Sequence, residues 1–166
     1  MRILLATDGS DTSLAASQAI AETEWPEDTE IKVVSVINPI RYSLEEIGIS
    51  GGKASERAHQ AIARTVNMLK SGPSKIKAEV IAGRRVPQIV ARARDWDADL
   101  IVVGTEERTG MRRLLSRGTA VAVANRAHCS VRVVRGGSVA HNEQITEQNH
   151  GVLAWRNDLK RQQAFT

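Results

Sequence analysis

The sequence predicts an α/β fold, in which a parallel sheet is covered by helices on both faces. Segments of strand character alternate with segments of helical character roughly every 10–20 residues. Short runs rich in Val, Ile and Leu, such as Ile31–Ile37 and Leu100–Val103, have the length and composition of buried strands. Proline and glycine separate these segments at Trp25-Pro26 and Gly72-Pro73. The chain is therefore predicted to form a single doubly wound domain with a five-stranded sheet.

The chain opens with a short apolar strand, Arg2–Ala6, followed by a turn. Ser10 or Asp11 can cap the next helix, which is predicted to run to Ala21. After the second strand, residues 38–52 form an irregular insert. A capping-box spacing inside this insert predicts one helical turn.

The middle of the chain contains the longest predicted helix, Lys53–Ser71, in which small apolar residues recur along one stripe. Ile76–Val80 alternates apolar and charged residues, which is typical of a strand at the edge of a sheet. Pro87 suits the first turn of the following helix. We expect Arg84 and Arg85 to be a solvated pair in the preceding loop.

The most informative segment follows the strand Leu100–Val103. Gly104 ends that strand, and an arginine-rich polar loop, Thr105–Arg117, comes next. A helix is predicted to begin at Gly118-Thr119, and Val131–Val134 reads as the last strand. The loop thus lies at the carboxyl end of a strand, where open α/β sheets bind ligands.

Charge is concentrated in the same segment. The 166-residue chain carries a formal net charge of +4. Residues 104–135 hold seven arginines against two glutamates, whereas the rest of the chain is close to neutral. An anion attracted by this protein is expected to meet it at that loop and helix, although a solvated arginine surface is the alternative.

Several classes of protein are disfavoured by what the sequence lacks. It has no P-loop, no G-x-G-x-x-G after a strand and no G-x-S-x-G elbow, and its histidines have no metal-ligand spacing. We therefore expect no catalytic residues, no metal and no required cofactor. Tyr42 and Phe165 are the only Tyr and Phe and lie far from the basic segment, so nucleic-acid binding is not expected.

The cellular location is expected to be the cytoplasm. Cys129 is the single cysteine, which excludes an internal disulfide and suits a reducing compartment. The N-terminus lacks the layout of a signal peptide, and no apolar run has membrane-spanning length.

Three stretches together resemble the universal stress protein family. Met1–Ser10, MRILLATDGS, resembles the first strand and Asp-Gly-Ser turn of that family. Asp97–Gly104, DADLIVVG, resembles its fourth strand, and Cys129–Val134, CSVRVV, resembles its last strand. The resemblance covers residues 1–135, which we take as the domain. Residues 136–166 are then a C-terminal extension, whose final part has the spacing of a short amphipathic helix.

The resemblance implies a strand order of 3-2-1-4-5 and a homodimer. We expect the last strand to form the dimer contact, because its residues Val131 and Val133 would be an apolar sheet edge. Arg132 is then expected to point away from the buried side of the sheet. An edge covered by the C-terminal extension is the alternative.

Some members of the family bind ATP through the motif G-x-x-G-x9-G-[S/T], whose glycines admit phosphate oxygens to backbone N–H groups. Gly104 matches the first glycine, but Glu107 and Arg117 stand where the others belong. A carboxylate beside the triphosphate is repulsive, and side chains fill the space it needs. Gly118-Thr119 restores the final pair only after a one-residue slip.

The residues that the resemblance places near a nucleotide lie at the ends of three strands, in the loop and at the start of the last helix. They are Ala6, Thr7, Asp8, Val36, Gly104, Thr105, Gly110, Arg117, Gly118 and Thr119. Asp8 has an alternative structural role in pinning its own turn, and Val36 has one as a core residue.

Two main hypotheses for function remain. The first is a non-enzymatic accessory or signalling module that dimerises, binds an unknown protein partner and has lost the ordinary ATP cradle. The second is a switch that binds ATP or AMP through arginines in place of the glycines. A small ATP hydrolase or transferase and a nucleic-acid binder are further, weaker alternatives.

Overall fold

The computed structural model describes residues 1–39, 52–70, 75–106 and 118–136, and the elements in these ranges follow the predicted alternation. In chain order they are β1 (Arg2–Ala6), α1 (Asp11–Ala21), β2 (Glu30–Ile37), α2 (Lys53–Leu69), β3 (Lys75–Ala82), α3 (Arg85–Asp95), β4 (Leu100–Glu106), α4 (Thr119–Ala124) and β5 (Ser130–Gly136). The helical turn predicted in the insert, most of the arginine-rich loop and the predicted C-terminal helix lie outside the described residues.

The five strands form one parallel sheet in the order β3-β2-β1-β4-β5, which confirms the predicted topology. β1 is the central strand, and its Ile3 is in register with Ile31 of β2 and Leu100 of β4. The direction of winding reverses between β1 and β4. Open sheets of this kind bind ligands beyond the carboxyl ends of the strands at this reversal.

Helices cover both faces of the sheet, as predicted, because alternate residues of each buried strand point to opposite sides. Ile3 and Leu5 of β1 pack with α1 and α2, whereas Leu4 packs with α3 and α4. All three side chains are fully buried. The core is thus two apolar layers, one on each face of a sheet whose central strand β1 is apolar from Ile3 to Ala6.

Local sequence signals explain where the helices begin and which sides they bury. Ser10 is the N-cap of α1 and its side chain accepts from the Ser13 N–H. The stripe of α2 faces the sheet as predicted, from Ala54 to Leu69. Pro87 lies in the first turn of α3, where a missing N–H is harmless. None of the helices in the described ranges is long and apolar enough to cross a membrane.

The structure corrects two details. β4 continues beyond Gly104 to Glu106, because Gly104 and Thr105 stay in register with Val134 and Arg135 of β5. Arg132 does not point away from the covered side of the sheet. It is half-buried, and its Nη1 donates to Thr23 Oγ1, just after α1, at 3.3 Å. Its long side chain reaches past the helix end, which allows a guanidinium on an otherwise covered face.

Candidate functional site at the carboxyl edge of the sheet

The predicted nucleotide residues come together at the carboxyl edge of the sheet where they are described. Residues 6–8 end β1 and begin its turn, Val36 lies near the end of β2, and Gly104 and Thr105 lie in β4. Gly118 and Thr119 begin α4, whose Ala120 packs in the same core layer as Ala6. Gly110 and Arg117 fall outside the described residues, as does Glu107.

The turn after β1 is fixed by a glycine and an aspartate. Gly9 has φ +77°, a conformation that side chains disfavour, and a Cβ there would lie 3.0 Å from Cβ of Ala61 on α2. The backbone N–H of Ser10 donates to Asp8 Oδ1 at 3.2 Å, which closes an Asx turn. The absence of a side chain at Gly9 therefore allows α2 to pack closely against the turn after β1. The hydrogen bond from Ser10 fixes the direction of the Asp8 side chain.

Thr7 points into the layer between the sheet, α1 and α2. Its Oγ1 donates to Ser13 Oγ at 3.2 Å and accepts from Thr65 Oγ1 at 3.1 Å. The Ser17 hydroxyl lies in the same buried layer and donates to the Ser13 carbonyl at 2.8 Å. The Thr7 N–H is also engaged, with the Val34 carbonyl at 2.9 Å. The Thr7 hydroxyl is therefore buried in a structural network that joins two helices to the central strand.

Asp8 points toward α3, and its side chain is 42% exposed. Its Oδ1 accepts from the Ser10 hydroxyl at 2.5 Å as well as from the Ser10 N–H. Its Oδ2 lies 3.5 Å from Nη1 of Arg85, the first residue of α3. One oxygen thus holds the turn, and the other faces a cation.

The protonation of Asp8 follows from these neighbours. Burial acts to raise the pKa of Asp8, but the hydrogen bonds from Ser10 and the charge of Arg85 outweigh it. The net result is a pKa below the ordinary value of an aspartate. Asp8 is therefore a carboxylate at neutral pH, and it can accept hydrogen bonds but not donate them.

Gly104 has a packing role that the sequence did not reveal. A Cβ at this position would lie 2.2 Å from the carbonyl oxygen of Thr12, in the first turn of α1. Gly136 at the end of β5 is restricted in the same way, since an added Cβ there would lie 2.7 Å from Cα of Thr12. These two glycines let the start of α1 sit directly on the backbone of β4 and β5.

The remaining described candidates divide between core and edge. Ala6 and Val36 are partly buried and pack against the α3 and α4 layer, in keeping with the core role left open for Val36. Gly118 is the N-cap of α4 with φ −56°, and a Cβ there would meet no atom of the described residues within 4 Å. The described residues therefore leave room for a side chain at Gly118.

Arg85 is the residue of this edge that the sequence analysis missed. It was expected in a solvated loop pair with Arg84, but it begins α3 and faces Asp8. A cation at a helix N-terminus opposes the helix dipole, and the first turn of α3 contains no acidic residue. Pro87 predicts a helix that begins near Arg85, and a cation at that position is unfavourable. This combination is the sequence signal that could have indicated an acidic partner for Arg85 from another segment.

The last strand forms an edge of the sheet within the described residues. Val133 of β5 is 42% exposed and Val121 of α4 is 53% exposed. Val131, two residues before Val133, packs against the layer that contains α4, so Val133 lies on the same side of the strand. An apolar edge strand and an exposed apolar helix residue thus lie on one side of the domain.

The geometry defines an open doubly wound α/β domain with its site residues at the carboxyl edge. The sequence profile of the universal stress protein family matches residues 1–135, and the chain belongs to that family. Universal stress protein MJ0531 from Methanocaldococcus jannaschii is 32% identical over 141 residues, which cover 81% of each chain.

Solved structures of similar fold include complexes with nucleotides. A universal stress protein in complex with cAMP is 23% identical with a TM-score of 0.64, covering 82% of this chain and 98% of that one. An Arabidopsis thaliana family member, At3g01520, with AMP bound is 16% identical with a TM-score of 0.62, covering 83% and 93%. At these identities the likeness concerns the fold.

Proposed function

We propose that this chain is a non-enzymatic, cytoplasmic signalling module that acts by dimerising and binding a protein partner, with the ordinary ATP cradle lost. The observation that carries this proposal is the apolar edge formed by β5 and α4. Unpaired strand edges invite pairing with another chain, and an exposed valine on the strand adds apolar area to such a contact. Assembly through β5 would place two carboxyl edges, one from each copy, in a single particle.

The dimer is tested by adding a charge to this edge. Val133→Asp should convert a dimer into a monomer at micromolar concentration, because dimerisation would bury an unpaired carboxylate. Val133→Ala is the matched control, since it shortens the same exposed side chain without adding a charge. Analytical ultracentrifugation of the full chain measures both. A wild-type protein that sediments as a monomer contradicts the proposal.

The loss of the ATP cradle is supported by Glu107 and Arg117 at positions where the family motif has glycine. We expect ATP to bind the wild type with a Kd weaker than ~100 μM, or less than about 5.5 kcal/mol. Changing both to glycine and Gly118→Ser restores the motif spacing from Gly104. None of the described residues obstructs a serine side chain at Gly118, and serine is a favoured N-cap.

The triple variant should bind ATP at least about tenfold more tightly than the wild type. Gly118→Ser alone is the control, because it changes the helix cap and leaves both charged side chains in place. Calorimetric titration measures all three proteins. Tight wild-type binding that the triple change destroys would favour arginines as the phosphate ligands and overturn the proposed loss.

A second candidate function is a nucleotide-dependent switch in which arginine side chains replace the glycine cradle. The Asp8–Arg85 pair favours it, since it keeps a guanidinium at the carboxyl edge next to an ionised acceptor. Relatives of the same fold are described with cAMP and with AMP bound. A nucleotide retained by the gently purified full chain would support this candidate.

A further inference from the structure

Both oxygens of the Asp8 carboxylate have a polar neighbour in the structure. Oδ1 already accepts two hydrogen bonds from Ser10, and Oδ2 faces the Arg85 guanidinium at 3.5 Å. A ligand that offers a hydroxyl or amino donor to Oδ2 therefore binds the same oxygen that Arg85 faces, and this long contact can be exchanged for it. A neutral ligand that displaces the Arg85 guanidinium from Asp8 offers no negatively charged group to replace the carboxylate as its partner.

The guanidinium itself has unused capacity. Its contact with Asp8 is a single one, longer than the usual 2.7–2.9 Å of a charge-assisted hydrogen bond. Within the described part of the chain, no hydrogen bond from the Arg85 side chain is present, and that side chain is 41% exposed. Several N–H donors in a planar fork are thus free for an oxyanion, and arginine binds phosphate through that fork.

We propose that Arg85 determines ligand specificity at the carboxyl edge, selecting nucleotides that carry a phosphate over neutral nucleosides. In this exchange a ligand donor takes Asp8 Oδ2 while the ligand phosphate takes the released Arg85 guanidinium. Each charged group then has a partner before and after binding. The proposal rests on the second candidate function above, since it requires that an adenine nucleotide bind at this edge.

Neighbouring arginines provide a matched pair of variants. Arg85→Gln removes the guanidinium that faces Asp8, whereas Arg84→Gln removes one that makes no ion pair within the described ranges. Both changes delete one positive charge at the same end of α3. They have equal effects on the general electrostatic attraction of anions but differ in the exchange with Asp8.

The experiment is calorimetric titration of the full-length wild type and both variants with AMP and with adenosine. We expect the wild type to prefer AMP by at least about tenfold, or 1.4 kcal/mol. Arg85→Gln should abolish that preference by weakening AMP and leaving adenosine as tight or tighter, and Arg84→Gln should preserve it.

The contrary outcomes are separable. AMP binding that survives Arg85→Gln, or falls equally in Arg84→Gln, overturns the role of Arg85 and leaves nucleotide binding intact. If the wild type and both variants bind neither AMP nor adenosine, the second candidate function fails and this inference fails with it.

Discussion

Thr7 and Asp8 are consecutive residues at the same strand end, yet they serve opposite faces of the sheet. Thr7 is buried against α1 and α2, where its hydroxyl and N–H are fully engaged. Asp8 faces α3, half-exposed, with a long contact to a cation. The carboxyl edge therefore has a closed half that fixes the fold and an open half that retains exchangeable charge. Fold stability should respond to changes in the first, and ligand selection to changes in the second.

The largest expected effect on the free energy of unfolding comes from a substitution at Gly104, where α1 packs on β4 in the closed half of the carboxyl edge. Gly104→Ala places a methyl group 2.2 Å from the Thr12 carbonyl, so α1 must move off β4. We expect the free energy of unfolding to fall by about 3 kcal/mol, as for severe overpacking. Chemical denaturation measures this loss.

Gly118→Ala is the control, because its added methyl group meets no atom of the described residues within 4 Å. It should lower the free energy of unfolding by less than about 1 kcal/mol, the usual scale of an N-cap change. Equal losses in the two variants would show that the contact with α1 does not explain the need for glycine at Gly104.

A smaller effect is expected from the buried hydroxyls. Thr7→Val and Thr65→Val each leave a buried partner without its hydrogen bond, which should lower the free energy of unfolding by about 1–2 kcal/mol. The double variant removes both hydroxyls and should lose less than the sum of the two single losses. Additive losses in the double-mutant cycle would contradict a direct coupling between these side chains.

The smallest effect concerns pH and the open half. Folding lowers the pKa of Asp8, so the stability that this group contributes is complete above its unfolded pKa. That contribution is lost as the pH falls through the lower, folded value. The loss should stay below about 1 kcal/mol, because the carboxylate is 42% exposed and solvent screens its ion pair.

Asp8→Asn should remove this part of the acid dependence, and Arg85→Gln should reduce it by raising the pKa of Asp8 toward its ordinary value. Urea denaturation of the three proteins across the acid range provides the comparison. An identical acid dependence of the free energy of unfolding in all three would contradict the role given to Asp8.

The fold could be predicted because its signals are local. Apolar runs, the Ser10 cap and the stripe of α2 each act within one segment, and all were confirmed. The edge position of β3 also followed from its alternation of charged and apolar residues. Such patterns depend on side-chain periodicity and capping, which a single stretch of sequence contains in full.

The site was harder to predict because its contacts join distant segments. Arg85 lacked a partner in its own stretch of sequence, and only the folded chain shows Asp8 beside it. Gly104 matched a phosphate-binding motif, but its closest neighbour is the Thr12 backbone, which depends on how α1 crosses β4. The direction of Arg132 was predicted from the alternation of residues along the strand. Alternation does not show that its long side chain can extend to Thr23 and donate a hydrogen bond there.

The central position of β1 has a consequence for synthesis of the protein. β1 is synthesised well before β4, and one of its two sides is completed only when Leu100 emerges and pairs beside Ile3. During that interval the side of β1 that will pair with β4 is an unpaired strand edge, and the buried residues of this strand, Ile3, Leu4 and Leu5, are apolar. We therefore expect the exposed edge of β1 to be protected from intermolecular pairing only once β4 has been synthesised and has paired with it.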